Sequence, residues 1–228
     1  MDVACGLGAS SLQLAREAGC RVVGIDLSPG SVESARRTAE DEALDGSVRF
    51  LVGDAEALPL EDASVDGVLC ECSLCTFPNK QAAAAELVRV LKPGGRLALS
   101  DMTADPARLP ASLRTLEARI ACLADARPLR ELIGLVRGAG LVVEIVEHHD
   151  DALARLLDRV EARLRLARIG PANGGDPALV DRGLDLVADA RESLERGILG
   201  YAVLAARRAV GWVERPAGPS AHRTSCER

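Results

Sequence analysis

Aromatic residues are scarce in this chain of 228 residues, which has two phenylalanines, one tyrosine and one tryptophan. Proteins that bind single-stranded nucleic acid stack the bases on aromatic side chains, and this chain offers few. Long apolar runs are also lacking, since no stretch approaches the ~18 to 20 residues that a membrane-spanning helix needs. The first residues do not combine a charged segment with an apolar core, as a secretion signal does. The composition therefore argues against a nucleic-acid-binding or membrane protein.

The charge and the cysteines favour a partner of another kind. The chain has a formal net charge of -6 and seven cysteines. An acidic chain lacks the broad positive surface that nucleic acid requires, so we expect a small-molecule partner. An odd number of cysteines without a secretion signal is typical of reduced thiols. These features predict a cytoplasmic monomer or homodimer that binds neither nucleic acid nor membranes.

Short apolar segments rich in valine and leucine alternate with segments of helical periodicity. This alternation predicts an α/β fold with a doubly wound, mostly parallel sheet. The predicted strands lie near residues 21–27, 48–52, 65–70, 96–101, 142–146 and 200–206. The predicted helices lie near residues 10–18, 31–43, 80–91 and 129–138. Ser28 and Pro29 are typical of a helix start and the segment KPGG at 92–95 of a helix stop. We expect the last strand to be antiparallel and to lie at the edge of the sheet.

The pattern changes after His149. A charged helical segment at residues 152–168 is followed by a second helical segment that runs to Arg196. We expect a helical insertion at about residues 151–197, before the last strand of a single domain over residues 1–214. Residues 215–228 are rich in proline, glycine and serine, which predicts a disordered tail.

A glycine-rich segment, DVACGLG at residues 2–8, lies almost at the first residue. Its glycines allow a tight turn from strand to helix and a close approach of a ligand to the backbone. Asp26 ends the apolar segment VVGID, where a carboxylate can accept both hydroxyls of a ribose. A dinucleotide-binding fold uses the same two parts, but its third glycine falls at Ser11 here, and it has no use for the acidic Asp2. The two segments together predict a nucleotide site.

A second carboxylate ends the next predicted strand. Asp54 in GDAEALP, residues 53–59, can accept from an adenine amino group, while Ala55 leaves room for the ring. With RVLKPGG at residues 89–95, these ordered segments resemble the class I methyltransferases that use S-adenosylmethionine. The resemblance covers roughly residues 1–146. It implies a Rossmann-like methyltransferase fold with S-adenosylmethionine as the cofactor.

The resemblance also implies a role for each matching position. The predicted cofactor-binding residues are Asp2, Ala4, Gly6 and Gly8 around the methionine portion, Asp26 and Leu27 at the ribose and adenine edge, Asp54 and Ala55 at the adenine, and Cys70 at the end of the fourth strand. Glu71 matches a position that faces the methyl donor and is a predicted catalytic residue. A solvated loop carboxylate has the same pattern and is the alternative.

The first strand is unusually short in this comparison. A full strand precedes the glycine loop in the family, whereas only three residues, Met1 to Val3, precede it here. The sequence therefore predicts a truncated first strand, which reflects a wrongly chosen start, a fragment or a true variant. A truncated domain that binds the cofactor or a partner without catalysis is an alternative function.

Cysteines cluster after the fourth predicted strand, in CECSLCTFPNK at residues 70–80. This segment, with LSDM at residues 99–102 and Cys122 farther on, resembles arsenite methyltransferases. In that family thiols bind trivalent arsenic, and Cys72 and Cys122 match two of the thiol positions. Soft thiolates suit As(III), so both are predicted catalytic residues. The alternative is that these cysteines pack as small hydrophobes.

The function predicted from the sequence is transfer of a methyl group from S-adenosylmethionine to a small molecule. Trivalent arsenic bound by cysteine thiolates is one acceptor. A quinone-like or other small metabolite is the alternative acceptor, because the chain also resembles the methyltransferases of quinone biosynthesis. We predict no metal site, since the pair Cys72 and Cys75 lacks the second pair that structural zinc needs.

Overall fold

The computed structural model of the chain describes residues 1–115, 125–169 and 176–210. The predicted tail at residues 215–228, and also Cys122 and Cys226, lie outside the described residues. The described strands, in chain order, are β1 (Asp2–Val3), β2 (Val22–Asp26), β3 (Val48–Val52), β4 (Val65–Glu71), β5 (Leu91–Ala104), β6 (Leu141–His148) and β7 (Leu199–Arg208). They form a sheet in the order β3, β2, β1, β4, β5, β7, β6. The α/β fold with a mostly parallel sheet is confirmed.

The described α-helices follow the predicted alternation. They are α1 (Ala9–Ala18), α2 (Pro29–Asp41), α3 (Lys80–Val90), α4 (Leu129–Gly138), α5 (Asp150–Ile169) and α6 (Pro177–Glu195). The predicted start of α2 is confirmed, because the Ser28 hydroxyl accepts from the Ser31 N–H at 3.2 Å and Pro29 occupies the first turn. Asn79 caps α3 in the same way, accepting from the Ala82 N–H at 2.9 Å.

Strand β1 is only two residues long, yet it lies at the centre of the sheet. Asp2 pairs with Gly24 of β2 on one side and with Leu69 of β4 on the other. The Leu69 N–H also donates to the Met1 carbonyl at 2.8 Å. Both neighbours are parallel to β1, so the turn that follows Val3 leaves from the carboxyl edge of the sheet.

Two sequence-based expectations about the strands are wrong. Strand β7 is antiparallel as predicted, but it lies between β5 and β6 and not at the edge. Strand β6 ends at the carboxyl edge, and α5 and α6 bring the chain back to that same edge, so β7 is antiparallel to both neighbours. It lies inside the sheet because it pairs with β5 on one side and with β6 on the other. Strand β5 also starts at Leu91 and not near residue 96, because the segment KPGG forms an irregularity inside the strand, where the pairing with β4 shifts register.

Phe50 of β3 packs against the turn at residues 4–8, here called the glycine turn, and against β2. Its ring is 2% exposed and lies in a cluster with α1, α2 and β2. A β-carbon on Gly24 would lie 2.5 Å from the ring, and one on Gly8 would lie 2.6 Å from it. Both positions therefore need glycine, and Gly8 also has the positive φ of 83° that favours this residue.

We predict that Gly24→Ala lowers the free energy of unfolding by about 1 to 3 kcal/mol, because the new methyl group overpacks against Phe50. Urea denaturation measures this change. Gly46→Ala is the matched control and should change stability by less than about 0.5 kcal/mol, since nothing lies within 4 Å of the added carbon. The smaller side chain of Phe50→Leu should reduce the cost of Gly24→Ala. An equal cost in both backgrounds would contradict this account.

Candidate active site

The turn after β1 brings backbone amides to the carboxyl edge of the sheet. Ala4, Gly6 and Gly8 all have positive φ, at 55°, 54° and 83°. The Cys5 N–H donates to the Ile25 carbonyl at 3.0 Å, which holds the turn against β2. Helix α1 then starts at Ala9, and Gly8 gives it no side-chain cap. The first amides of α1 are therefore left for a ligand at this edge.

Asp26 is the point where this turn meets β2. Its Oδ2 accepts from the Gly6 N–H at 2.8 Å, and its Oδ1 accepts from the Ser28 N–H at 2.9 Å. Each carboxylate oxygen keeps a further lone pair. Leu27, which follows, has an apolar side chain that is 70% exposed. The structure thus brings a fixed carboxylate, an exposed apolar surface and the glycine turn together.

Asp54 and Ala55 lie beside Asp26. The Gly53 N–H donates to the Asp26 carbonyl at 3.0 Å, so the ends of β2 and β3 are directly bonded. Asp54 is exposed, and its Oδ1 accepts from the Glu56 N–H at 2.9 Å. Ala55 is buried in the main core cluster. Asp54 and Ala55, which were predicted at the adenine, therefore lie next to Asp26 along the carboxyl edge of the sheet.

Arg89 holds this loop in place, a role that was not predicted from the sequence. It donates to the Leu58 carbonyl at 3.0 Å and to the Leu60 carbonyl at 2.7 Å. It also bonds Glu86, whose Oε2 accepts from the Leu58 N–H at 2.7 Å. The guanidinium can make these contacts together because it presents several donors in one plane.

Asp2 is 3% exposed and accepts from the Ser11 hydroxyl at 2.6 Å. Burial raises the pKa of its carboxyl from the ordinary 3.8 to about 6, and the negative charges of Glu71 and Asp26 act in the same direction. The Ser11 bond acts in the opposite direction. A cation bound nearby would favour the ionised form of Asp2, so this residue is suited to a positively charged ligand.

Glu71 ends β4 on the other side of the glycine turn, and Cys72 follows it. The Glu71 Oε2 accepts from the Ser10 hydroxyl in the first turn of α1. Cys72 has a positive φ of 47°, and its N–H donates to the Ser100 carbonyl at 2.8 Å. Its sulfur lies 3.3 Å from the hydroxyl oxygen of Tyr201 in β7. Both predicted residues are exposed at the carboxyl edge.

The neighbouring thiols do not converge with Cys72. Cys70 is fully buried, its sulfur lies 3.2 Å from the Ser73 hydroxyl, and burial raises its pKa to about 12. Cys75 is also buried, and its N–H donates to Asp101 Oδ2 at 2.8 Å. Among residues 1–115, 125–169 and 176–210, no group of three His, Cys, Asp or Glu side chains could hold a metal ion. Cys70 is 0% exposed, so neither its side chain nor its backbone offers a surface to a ligand.

Residues 1–99 match a family model described as a methyltransferase domain. The 27-O-demethylrifamycin SV methyltransferase of Amycolatopsis mediterranei is 34% identical over 176 residues, which cover 77% of this chain and 55% of that protein. The demethylmenaquinone methyltransferase of Thermus thermophilus is 41% identical over 107 residues, which cover 46% and 48%. The chain belongs to the class I S-adenosylmethionine-dependent methyltransferases. It spans about half the length of these two relatives.

Solved structures confirm the class I methyltransferase fold. The cyclase SpnF is 28% identical, with a TM-score of 0.76 over 92% of this chain and 75% of that chain. The geranyl diphosphate C-methyltransferase of Streptomyces coelicolor is 21% identical, with a TM-score of 0.68 over 91% and 72%. The cofactor predicted from the sequence, S-adenosylmethionine, is that of the class. None of the described helices is both long and apolar enough to cross a bilayer.

We predict that Asp2 makes stability depend on pH. Its raised pKa means that the folded chain binds a proton more tightly than the unfolded chain between about pH 4 and pH 6. The free energy of unfolding should therefore fall as the pH rises through this window, by up to about 3 kcal/mol. Asp2→Asn retains an acceptor for Ser11 and does not titrate.

Urea denaturation at several values between pH 4 and pH 7 measures this effect. The stability of the wild type should fall relative to that of Asp2→Asn as the pH rises. Asp41→Asn removes an exposed charge at the end of α2 and serves as the control. Parallel stability curves for the wild type and Asp2→Asn would remove Asp2 as the source.

Proposed function

We propose that this domain transfers a methyl group from S-adenosylmethionine to a hydroxyl oxygen of a small molecule. The observation that supports the cofactor site most directly is the position of Asp26, which accepts from the glycine turn at Gly6 and is joined through Gly53 to the loop of Asp54. Three parts of the predicted site thus share one edge of the sheet. The 27-O-demethylrifamycin relative supports an oxygen acceptor by its name.

The residues present fit the cofactor. Asp26 would accept from the ribose hydroxyls, with Leu27 beside the adenine edge. Asp54 would accept from the adenine amino group, and Ala55 would leave room for the ring. The remaining predicted residues that would lie along the methionine portion are Asp2, Ala4, Gly6 and Gly8. Cys70 does not fit this role, because it is fully buried. The buried carboxylate of Asp2 suits the positive charge of that portion.

When bound, S-adenosylmethionine supplies an electrophilic methyl group on a sulfonium sulfur. Methyl transfer is an in-line displacement, so the main task of the protein is to orient the acceptor and exclude water. A hydroxyl acceptor also needs a base for its proton. Glu71 fits this role because its carboxylate is held at the carboxyl edge by Ser10 and remains exposed to an incoming acceptor.

Trivalent arsenic is the second acceptor predicted from the sequence. Cys72 is exposed, but Cys70 and Cys75 are buried and bonded elsewhere, and Cys122 lies outside the described residues. The described thiols therefore give no support to an arsenic acceptor. A quinone-like metabolite is the alternative acceptor, because a relative is named as a demethylmenaquinone methyltransferase.

A cyclase is the second candidate function, because SpnF shares the fold at 28% identity over 92% of this chain. The two functions differ in the fate of the cofactor. A methyltransferase converts S-adenosylmethionine to S-adenosylhomocysteine once per turnover, whereas a ring closure needs no methyl donor. Release of S-adenosylhomocysteine in step with product therefore separates them.

We predict that S-adenosylhomocysteine binds the purified chain and that Asp26→Ala weakens this binding by about 1 to 3 kcal/mol, because polar groups lose a partner. Isothermal titration calorimetry gives both affinities. Asp45→Ala, at an exposed position outside the proposed site, is the control and should bind as the wild type does. Unchanged affinity in Asp26→Ala would remove Asp26 from the site.

We predict that Glu71→Gln lowers kcat for a hydroxyl acceptor by about 100-fold or more while S-adenosylhomocysteine still binds. Formation of S-adenosylhomocysteine with catechol as the probe measures the rate. A parallel reaction with arsenite tests the other acceptor. Arsenite methylation that depends on Cys72, and is lost in Cys72→Ser, would replace the hydroxyl acceptor with trivalent arsenic.

A further inference from the structure

The single tyrosine of the chain contacts the predicted acceptor side of the site from a distant strand. Tyr201 belongs to β7, which pairs with β5 and β6 and not with β4. Its hydroxyl nevertheless lies 3.3 Å from the sulfur of Cys72, which follows β4. The side chain must therefore extend across β5 to reach the loop after β4.

The strand register places Tyr201 on the same face as Glu71. Glu71 pairs with Ser100 of β5, and Tyr201 pairs with Met102. Directly opposed residues share a face, as do residues two apart on one strand. The Glu71 carboxylate is also close enough that its charge contributes to the raised pKa of Tyr201. The tyrosine and the proposed base therefore lie on one face of the sheet, close enough for their charges to interact.

The position of Tyr201 is fixed by several contacts. Its N–H donates to Asp150 Oδ1 at 2.9 Å, and its carbonyl accepts from the His149 N–H at 2.8 Å. Gly200 allows this approach, because a β-carbon there would lie 2.8 Å from Asp150 Oδ1. The ring packs against the cluster formed by α5, α6 and the end of β5. The hydroxyl is thus held by a rigid support.

The Tyr201 hydroxyl would bond more strongly to an oxygen atom of a ligand than it does to the sulfur of Cys72. A thiol is a weak hydrogen-bond acceptor, and an oxygen atom of a ligand is a stronger one. Cys72 is exposed and adopts a left-handed backbone, which is strained in a residue other than glycine. Burial raises the pKa of Tyr201, and the neighbouring Cys72 acts in the same direction. The phenol therefore stays protonated at neutral pH and remains a donor.

We propose that Tyr201 binds the methyl acceptor by donating a hydrogen bond to a second oxygen atom next to the reacting hydroxyl. This inference rests on the proposed function. Glu71 accepts the proton of the reacting hydroxyl, while Tyr201 recognises the neighbouring oxygen. The acceptors that fit carry two adjacent oxygen functions, such as a 1,2-diol on an aromatic ring or a hydroxyl beside a carbonyl.

The test compares catechol, which has two adjacent hydroxyls, with phenol, which has one. Both probes are titrated calorimetrically into the chain saturated with S-adenosylhomocysteine. Catechol should bind about tenfold more tightly than phenol, the value of one hydrogen bond. Tyr201→Phe should bring this ratio close to one, while the affinity for S-adenosylhomocysteine and the urea midpoint stay at wild-type values. A purely structural role for the hydroxyl would leave the ratio unchanged.

Cys72→Ala provides the matched variant. It removes the competing sulfur and leaves the tyrosine hydroxyl, so the preference for catechol should rise. If Cys72→Ala abolishes the preference as fully as Tyr201→Phe, Tyr201 acts only through the thiol and the inference is wrong. Equal affinities for the two probes, or no binding of catechol to the saturated chain, would also overturn it. Failure of S-adenosylhomocysteine itself to bind would instead overturn the proposed function.

Discussion

The hydrogen bond from the Gly6 N–H to Asp26 is the interaction on which the proposed cofactor site, at the ends of β1, β2 and β3, depends. Strand β1 contributes two residues, so pairing alone gives the glycine turn little support. The Asp26 side chain fixes that turn from β2, while its backbone carbonyl accepts from Gly53 at the end of β3. One residue thus aligns the loops after three consecutive strands of the sheet. Glycine is required at positions 8 and 24 because the ring of Phe50 fills the space that a β-carbon would need there.

Carboxylates surround the place where the methionine portion of the cofactor is proposed to lie. Asp2 is buried, and the charges of Glu71 and Asp26 raise its pKa further. Such a cluster is unfavourable in the absence of a cation, because like charges repel and burial disfavours ionisation. A sulfonium and an ammonium group would relieve both effects. Under the proposed function, the neutral sulfur of the product would relieve less, so these carboxylates would favour the substrate cofactor over the product.

Local signals predicted where the glycine turn, Asp26 and Asp54 lie in the fold, and long-range contacts account for what was missed. The glycine turn, Asp26 and Asp54 each lie within a few residues of a strand end, so alternating apolar segments suffice to place them at one edge. The edge position of β7 was wrong, since strand order depends on how α5 and α6 return the chain. The contact between Cys72 and Tyr201 joins residues 129 apart, and Arg89 reaches a loop about 30 residues away. No sequence period encodes such pairs, although a lone tyrosine in the last strand is a signal that could have been weighed.

Two smaller buried clusters lie on the two sides of the proposed reaction, while the main core cluster extends from β2 to β7 and is common to both. One cluster of buried residues lies between α1, α2, β2 and β3, beneath the residues proposed to hold the cofactor. Another lies between α5, α6 and the end of β5, and Tyr201 packs against it. Because the two clusters are distinct, changes in the helical pair can reshape the acceptor side without disturbing Phe50 or the glycine turn. At the carboxyl edge, Ser10 contacts Glu71 and Cys72 contacts Tyr201, so acceptor selectivity in this chain should depend on a few side chains there.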